Sequence, residues 1–108
     1  MNDAERWDRA VSVARIVTWS LAVDEITPTT LSVTARSIDV SVPWDQVGWA
    51  ATGVFDDAEK LPVRETYRCR DVTGMVDGVQ VTIRGFQRET APKPETSTVA
   101  DLMAGEQR

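Results

Sequence analysis

The sequence predicts an α+β domain: a long N-terminal helix packed on an antiparallel sheet of about four strands, with a short connecting helix and a flexible C-terminal tail. Three observations predict it. Apolar residues recur every three or four positions from Ala4 to Leu21, the period of a helix with one buried face. From residue 30 the period changes to two, in Leu31-Val33-Ala35, Ile38-Val40-Val42 and Val79-Val81-Ile83, the period of a half-buried strand. The chain has 108 residues, which bounds it as one domain, residues 1–90, followed by a tail, residues 91–108.

The helix is predicted over residues 3–23. Asn2 or Asp3 caps it, and Asp3 and Glu5 suit its positive end. Ala4, Trp7, Val11, Ala14, Val17 or Thr18, and Leu21 form the core stripe. Val13, Ile16 and Trp19 widen it, and a helix apolar on more than one side needs cover on more than one side. Either the domain or a partner supplies that cover. Asp24-Glu25 places two carboxylates where they oppose the helix dipole. Thr27-Pro28 punctuates the connector.

Leu31-Val33-Ala35 and Ile38-Val40-Val42 are out of phase, so a slip at Arg36-Ser37 is read as a tight turn between two short strands. Pro43 ends the second, because it has no N–H to donate. Trp44 to Gly53 is read as a short helix, with Asp45 near its start and Gly53 as the stop. Asp56-Asp57-Ala58-Glu59-Lys60 is a solvated turn.

The clearest hairpin spans residues 62–88. Asp77-Gly78 is a favoured type I′ pair. With that turn, Val76 pairs with Val79, Val72 with Ile83, Asp71 with Arg84, Cys69 with Phe86 and Tyr67 with Arg88. Gly74 marks a bulge or moves the turn earlier, which changes this register. Ala91 to Ser97 contains two prolines and reads as a linker. Ser97 or Thr98 then caps a short docking helix, Val99 to Ala104, with Val99, Leu102 and Met103 on one face. This tail is expected to be loose in isolation and helical where a surface receives it, either its own domain, a second subunit or a partner, so that deleting residues 91–108 leaves the melting temperature within a few degrees.

Composition narrows the function. Hydrophobic residues are 42% and charged residues 27%, near the globular average, so a packed core is expected rather than disorder. The apolar runs are too short to span a bilayer and the N-terminus is polar, so no membrane segment or signal peptide is expected, and the protein is expected in the cytoplasm. There is no histidine and one cysteine. That excludes His–Cys zinc sites, Ser-His-Asp and Cys-His catalysis, and an internal disulfide. The acidic cluster at residues 56–59 lacks the glycine and spacing of a calcium loop, and no glycine pattern marks a nucleotide loop. No cofactor, metal or catalytic residue is expected, and the chain is read as a non-enzyme.

The formal net charge is −5, which disfavours general nucleic-acid binding. Five arginines cluster in and beside the hairpin: Arg64, Arg68, Arg70, Arg84 and Arg88. They are the basis of the second reading, a nucleic-acid-binding regulator. Arg68 and Arg70 also flank Cys69, but strand neighbours point to the other face. Cys69 is therefore expected to be a small, buried, apolar and poorly reactive residue.

Four tryptophans are the unusual count. Tryptophan fills cores and also concentrates at the centres of interfaces. Trp19, Trp44 and Trp49, with Val99, Leu102 and Met103, are the expected interaction residues, and Trp44 and Trp49, in the irregular segment, are the better candidates of the three tryptophans. Of twelve cations, ten are arginine, a usage similar to that of GC-rich genomes. The run Leu31–Pro43, followed by Trp44-Asp45-Gln46-Val47-Gly48-Trp49-Ala50 and a hairpin ending Gly78-Val79-Gln80-Val81, resembles small accessory proteins of actinobacterial phages and plasmids. The resemblance implies an accessory role and brings no catalytic residues. The expected function is a protein-interaction module that self-associates as a homodimer or larger and binds a host or phage protein.

Overall fold

In the computed structural model, residues 2–66, 68–86 and 97–105 are described. Helix α1 spans Asp3–Val23. Asn2 Oδ1 accepts from the Glu5 amide at 2.8 Å, satisfying a donor that has no partner within the helix. At the other end Glu25 takes a left-handed φ of 59°. The Glu25 amide donates to Ala22 and the Ile26 amide to Leu21, the two bonds of a Schellman turn. That turn folds Ile26 back into the core beside Leu21.

Strands β1 (Thr30–Val33) and β2 (Ser37–Pro43) form an antiparallel hairpin. Its turn is built by Thr34 Oγ1, which accepts from the amides of Arg36 and Ser37. A 3-10 turn (Trp44–Gln46) leads into α2 (Val47–Val54). A second 3-10 turn (Ala58–Lys60) precedes β3 (Pro62–Thr66), β4 (Cys69–Val76) and β5 (Val79–Phe86). After residues 87–96 come the two-residue β6 (Ser97–Thr98) and α3 (Val99–Gly105).

The α+β class holds, with a mixed sheet rather than an antiparallel one. Five strands lie in the order β1-β2-β5-β4-β3, and β6 adds a short rung outside β3. β2 and β5 run parallel, with Ile38 beside Val81 and Val40 beside Ile83. The link from β2 to β5 holds α2 and two other strands, so strands adjacent in space are distant in sequence. Period-two patterning carries no information about that choice of neighbour.

The β4–β5 register is the one expected, from Val76 opposite Val79 to Cys69 opposite Phe86. The expected Tyr67–Arg88 pair lies outside the described residues. Asp77 and Gly78 both take positive φ, 48° and 79°, as a type I′ turn requires. Gly74 makes no bulge; it pairs with Val81 in an unbroken ladder. A Cβ there would lie 2.8 Å from the Phe55 ring, so its small size admits that ring onto the sheet. Gly85 does the same for the first 3-10 turn, where a Cβ would meet Trp44 Cα at 2.9 Å.

One sheet face packs against the helices. Ile38, Val40, Val72, Val81 and Ile83 meet Val13, Val17, Leu21, Val47, Ala50 and Ala51 there. The opposite face is polar, with Thr73 and Thr82 hydroxyls 3.0 Å apart at its centre. The buried stripe of α1 is Ala10, Val13, Ala14, Val17 and Leu21. Trp7 and Val11, expected in the core, are exposed. The small Ala10 and Ala14 form the contact stripe, and the larger apolar residues are turned to its flank.

Residues 97–105 are seated on the domain: the docking helix expected from Val99 to Ala104 is α3, and the surface that receives it is the chain's own domain. β6 pairs with β3, and the Val99 amide donates to Leu61 at 3.0 Å. Thr98 and Asp101 cap α3 reciprocally: the Thr98 amide donates to Asp101 Oδ2 at 2.9 Å, and the Asp101 amide to Thr98 Oγ1 at 3.4 Å. This is a capping box with aspartate in place of glutamate. Val99 is fully buried. The linker stretch, residues 91–96, lies outside the described residues.

Candidate interaction site

The exposed apolar surface of α1 continues into a groove between that helix and β1. Val11, Ala14, Arg15, Thr18, Trp19 and Ala22 form the helix wall, and Leu31 and Val33 the strand wall; the groove holds about 480 Å³. The local sequence explains each wall. Residues 11, 14 or 15, 18 and 22 recur at helical spacing on one flank. Ala14 and Ala22 are small and leave room at the floor. Thr18 donates its hydroxyl to the Ala14 carbonyl at 2.7 Å, which satisfies the hydroxyl within its own helix. On β1, the alternation sends Leu31 and Val33 toward α1 and Thr30 and Ser32 to the other face. Arg15 is the one charged residue in the wall and no carboxylate lines it. Trp19 stands 71% exposed, with Val11 at 41% and Leu31 at 43%.

The strand beside this groove is a sheet edge. Among the described residues β1 pairs with β2 alone, so its outer row of amides and carbonyls faces away from the sheet. The out-of-phase run Leu31-Val33 and the Val11–Trp19 spacing were the sequence signals for this groove. Neither shows on its own that helix and strand lie side by side.

The expected interaction residues do not form one surface. Trp19 is on the groove. Trp44 is half-buried under the Arg70 guanidinium, 3.7 Å from its ring centre, a stacked cation–π contact. Trp49 is half-buried and packs on the core. Val99 and Leu102 are buried in the domain and Met103 packs against it, so their apolar face is already covered by the chain's own α2 and 3-10 turn. The Thr52 hydroxyl lies 2.8 Å from Met103 Sδ in that contact.

The hairpin arginines are also divided. Arg70 lies on the helix side, bridged to Glu65 at 3.3 Å with 14% and 10% of the two side chains exposed. Arg64 and Arg84 lie on the opposite face, bridged to Asp71 at 3.0 Å and to Asp39 at 3.3 Å. Arg68 is exposed in the β3–β4 turn, and Arg88 lies outside the described residues. Four of the five therefore sit on two faces and a turn, and three are bridged to carboxylates. The bond to Asp71 raises the Arg64 pKa above its ordinary value, first through the hydrogen bond and then through the charge.

Cys69 is half-buried on the polar face beside these pairs. Burial pushes its thiol pKa up, and the Asp71 carboxylate adds to the rise; Arg84 and Arg64 pull it partly back. The modulating arginines are those across the sheet, because those adjacent in sequence point elsewhere. Among the described residues no three acidic or cysteine side chains are grouped to hold a metal ion, and no helix is long and apolar enough to cross a membrane.

Comparison with known protein families, curated proteins and solved structures finds no match to this chain.

Proposed function

We propose that the protein is a non-enzymatic interaction module whose working surface is the groove between α1 and β1, through which it self-associates or holds a host or phage protein. The observation that carries this reading is an apolar groove lying along a sheet edge that is unpaired among the described residues. Such a surface costs free energy in water and is usual only where a partner covers it. The mobile-element setting rests on the sequence resemblance alone. The nucleic-acid reading draws no support from the arginines, which are spread over separate surfaces and mostly matched by carboxylates.

The test is co-purification from a native host, comparing the unaltered chain with Trp19→Glu. Native mass spectrometry of the purified material reads the companions, a second copy included. The expected result is an assembly with the unaltered chain that is lost in the variant, while far-UV dichroism stays the same. Equal companions for both chains, or none for either, overturns the reading.

A further inference from the structure

We infer that the groove is closed by a second copy of this chain, with the two β1 strands paired antiparallel about a two-fold axis at Ser32, joining the two sheets into one continuous sheet. This rests on the interaction-module reading and names the occupant of that site.

The two sheet edges differ in a way that points to β1. The β3 edge is paired with β6 at Pro62 and Val63, and α3 continues from β6 onto α2 and the second 3-10 turn. The β1 edge carries Thr30-Leu31-Ser32-Val33, with no charge, proline, glycine or bulge to blunt it. Of the devices that keep natural edge strands unpaired, β1 carries shortness alone, at four residues.

Symmetry then fixes the register. A two-fold axis normal to the sheet pairs residues whose numbers sum to an even value. Every residue therefore meets one from its own face, and the helices of both copies fall on the same side. Centring on Ser32 sets Leu31 against Val33 of the second copy on the helix side. Thr30 then meets Thr34 on the polar side. Apolar residues stay with apolar and polar with polar.

A second copy also fits what lies beside the strand. An isolated extended peptide would satisfy the β1 backbone but leave the helix wall bare. A second copy brings its own α1 alongside, so Val11 and Trp19 of each helix face the merged groove. A tryptophan offers about 150–250 Å². With Trp19, Val11 and Leu31 this exposed, each copy supplies on the order of 300–400 Å² of apolar surface as the core of the contact. Paired strands and a polar rim bring it toward the roughly 800 Å² per partner of a stable interface. Two chains of net charge −5 repel each other, and a wall free of carboxylates is where that repulsion is least.

Cross-linking tests the pairing. Ser32→Cys in a Cys69→Ser background places the two new thiols opposite each other at the axis. Directly opposed antiparallel residues have Cα atoms about 4.5–5.5 Å apart, within the span of a disulfide. Mild oxidation should convert most of the protein to a covalent dimer on non-reducing gels. Gln80→Cys in the same background, on the same sheet face but on β5, should stay monomeric on those gels. Light scattering of the unaltered chain should give twice 12.0 kDa at micromolar concentration. A monomer throughout the accessible range overturns the pairing, and so does a dimer that Ser32→Cys fails to link. If the co-purification result holds in either case, the interaction-module reading survives with a different occupant or contact.

Discussion

The two edges of the sheet solve the same problem differently. At β3 the chain returns to cover the start of its own edge, at Pro62 and Val63. β6 adds two backbone pairs, α3 drops Val99 into the core, and Thr98 and Asp101 lock the start of that helix. At β1 no described segment of the chain returns, and the adjoining helix wall remains apolar and exposed. A chain that covers one edge has the means to cover an edge. That no described segment does so at the other, beside an apolar groove, fits the proposal that the first edge serves stability and the second association.

If that division holds, changes at the covered edge should act on folding, and the largest effect should come from the ion pair buried there. Glu65 and Arg70 are both mostly out of water, and Arg70 is stacked on Trp44. Glu65→Ala removes the Glu65 carboxylate from beside that buried guanidinium. Breaking one partner of a buried pair costs about 3–5 kcal/mol, and the remaining access to water places the expectation at about 3. Urea unfolding followed by tryptophan fluorescence measures it. A midpoint unchanged within error would mean that the covered edge owes nothing to this pair.

Val99→Ala comes next. It removes two buried methyl groups where α3 meets the core and should cost about 2 kcal/mol. For a domain of this size that lowers the melting temperature by roughly 8–16 °C. This reverses the sequence-based expectation for the tail, and the reason is specific. Val99, Leu102 and Met103 read as one small face whose burial barely offsets the entropy of ordering it. The sequence did not show that β6 would pair with β3, that Leu61 would accept from the Val99 amide, or that Asp101 would close a capping box.

The same limit runs through the whole molecule. What depends on neighbours in sequence was legible: the Asn2 cap, the Arg36-Ser37 turn between β1 and β2, and the Asp77-Gly78 turn with its full register. What depends on neighbours in space was not. The parallel contact of β2 with β5 lies there, and so does the burial of Arg70 on the opposite face from Arg64. The candidate site is divided in the same way. Trp19 was legible as a residue that widens the apolar stripe of α1, but the groove needs Leu31 and Val33 beside α1, and no local pattern states that proximity.

A smaller effect, of opposite sign, is expected at the turn that delivers the chain from α1 to β1. Glu25 holds a left-handed conformation that costs a residue with a Cβ about 1 kcal/mol, and its carboxylate sits at the negative end of the helix. Glu25→Gly should raise stability by about 0.5–1 kcal/mol, read as a higher urea midpoint. The dimer should persist, because neither wall of the groove changes. Loss of the dimer with a raised midpoint would place this turn within the contact and blur the division between the edges.

The smallest effect on folding, and the sharpest on association, belongs to Leu31→Lys. Leu31 is 43% exposed on an edge strand, and a lysine stem can lie along the same apolar wall with its ammonium in water. The isolated chain should therefore keep its stability within about 0.5 kcal/mol, as surface substitutions usually do. In the paired form the same ammonium meets Val33 of the second copy inside a closed groove, and two such charges lie close together across the axis. A charge without a partner does not stay in such a contact. Sedimentation velocity should show the variant as a monomer at concentrations where the unaltered chain is dimeric, with an unchanged urea midpoint measured at a concentration low enough to dissociate both. A variant that stays dimeric would show that β1 is not the contact. A variant that unfolds would show that this edge, like the other, is needed for the fold, and the contrast between the two edges would be lost.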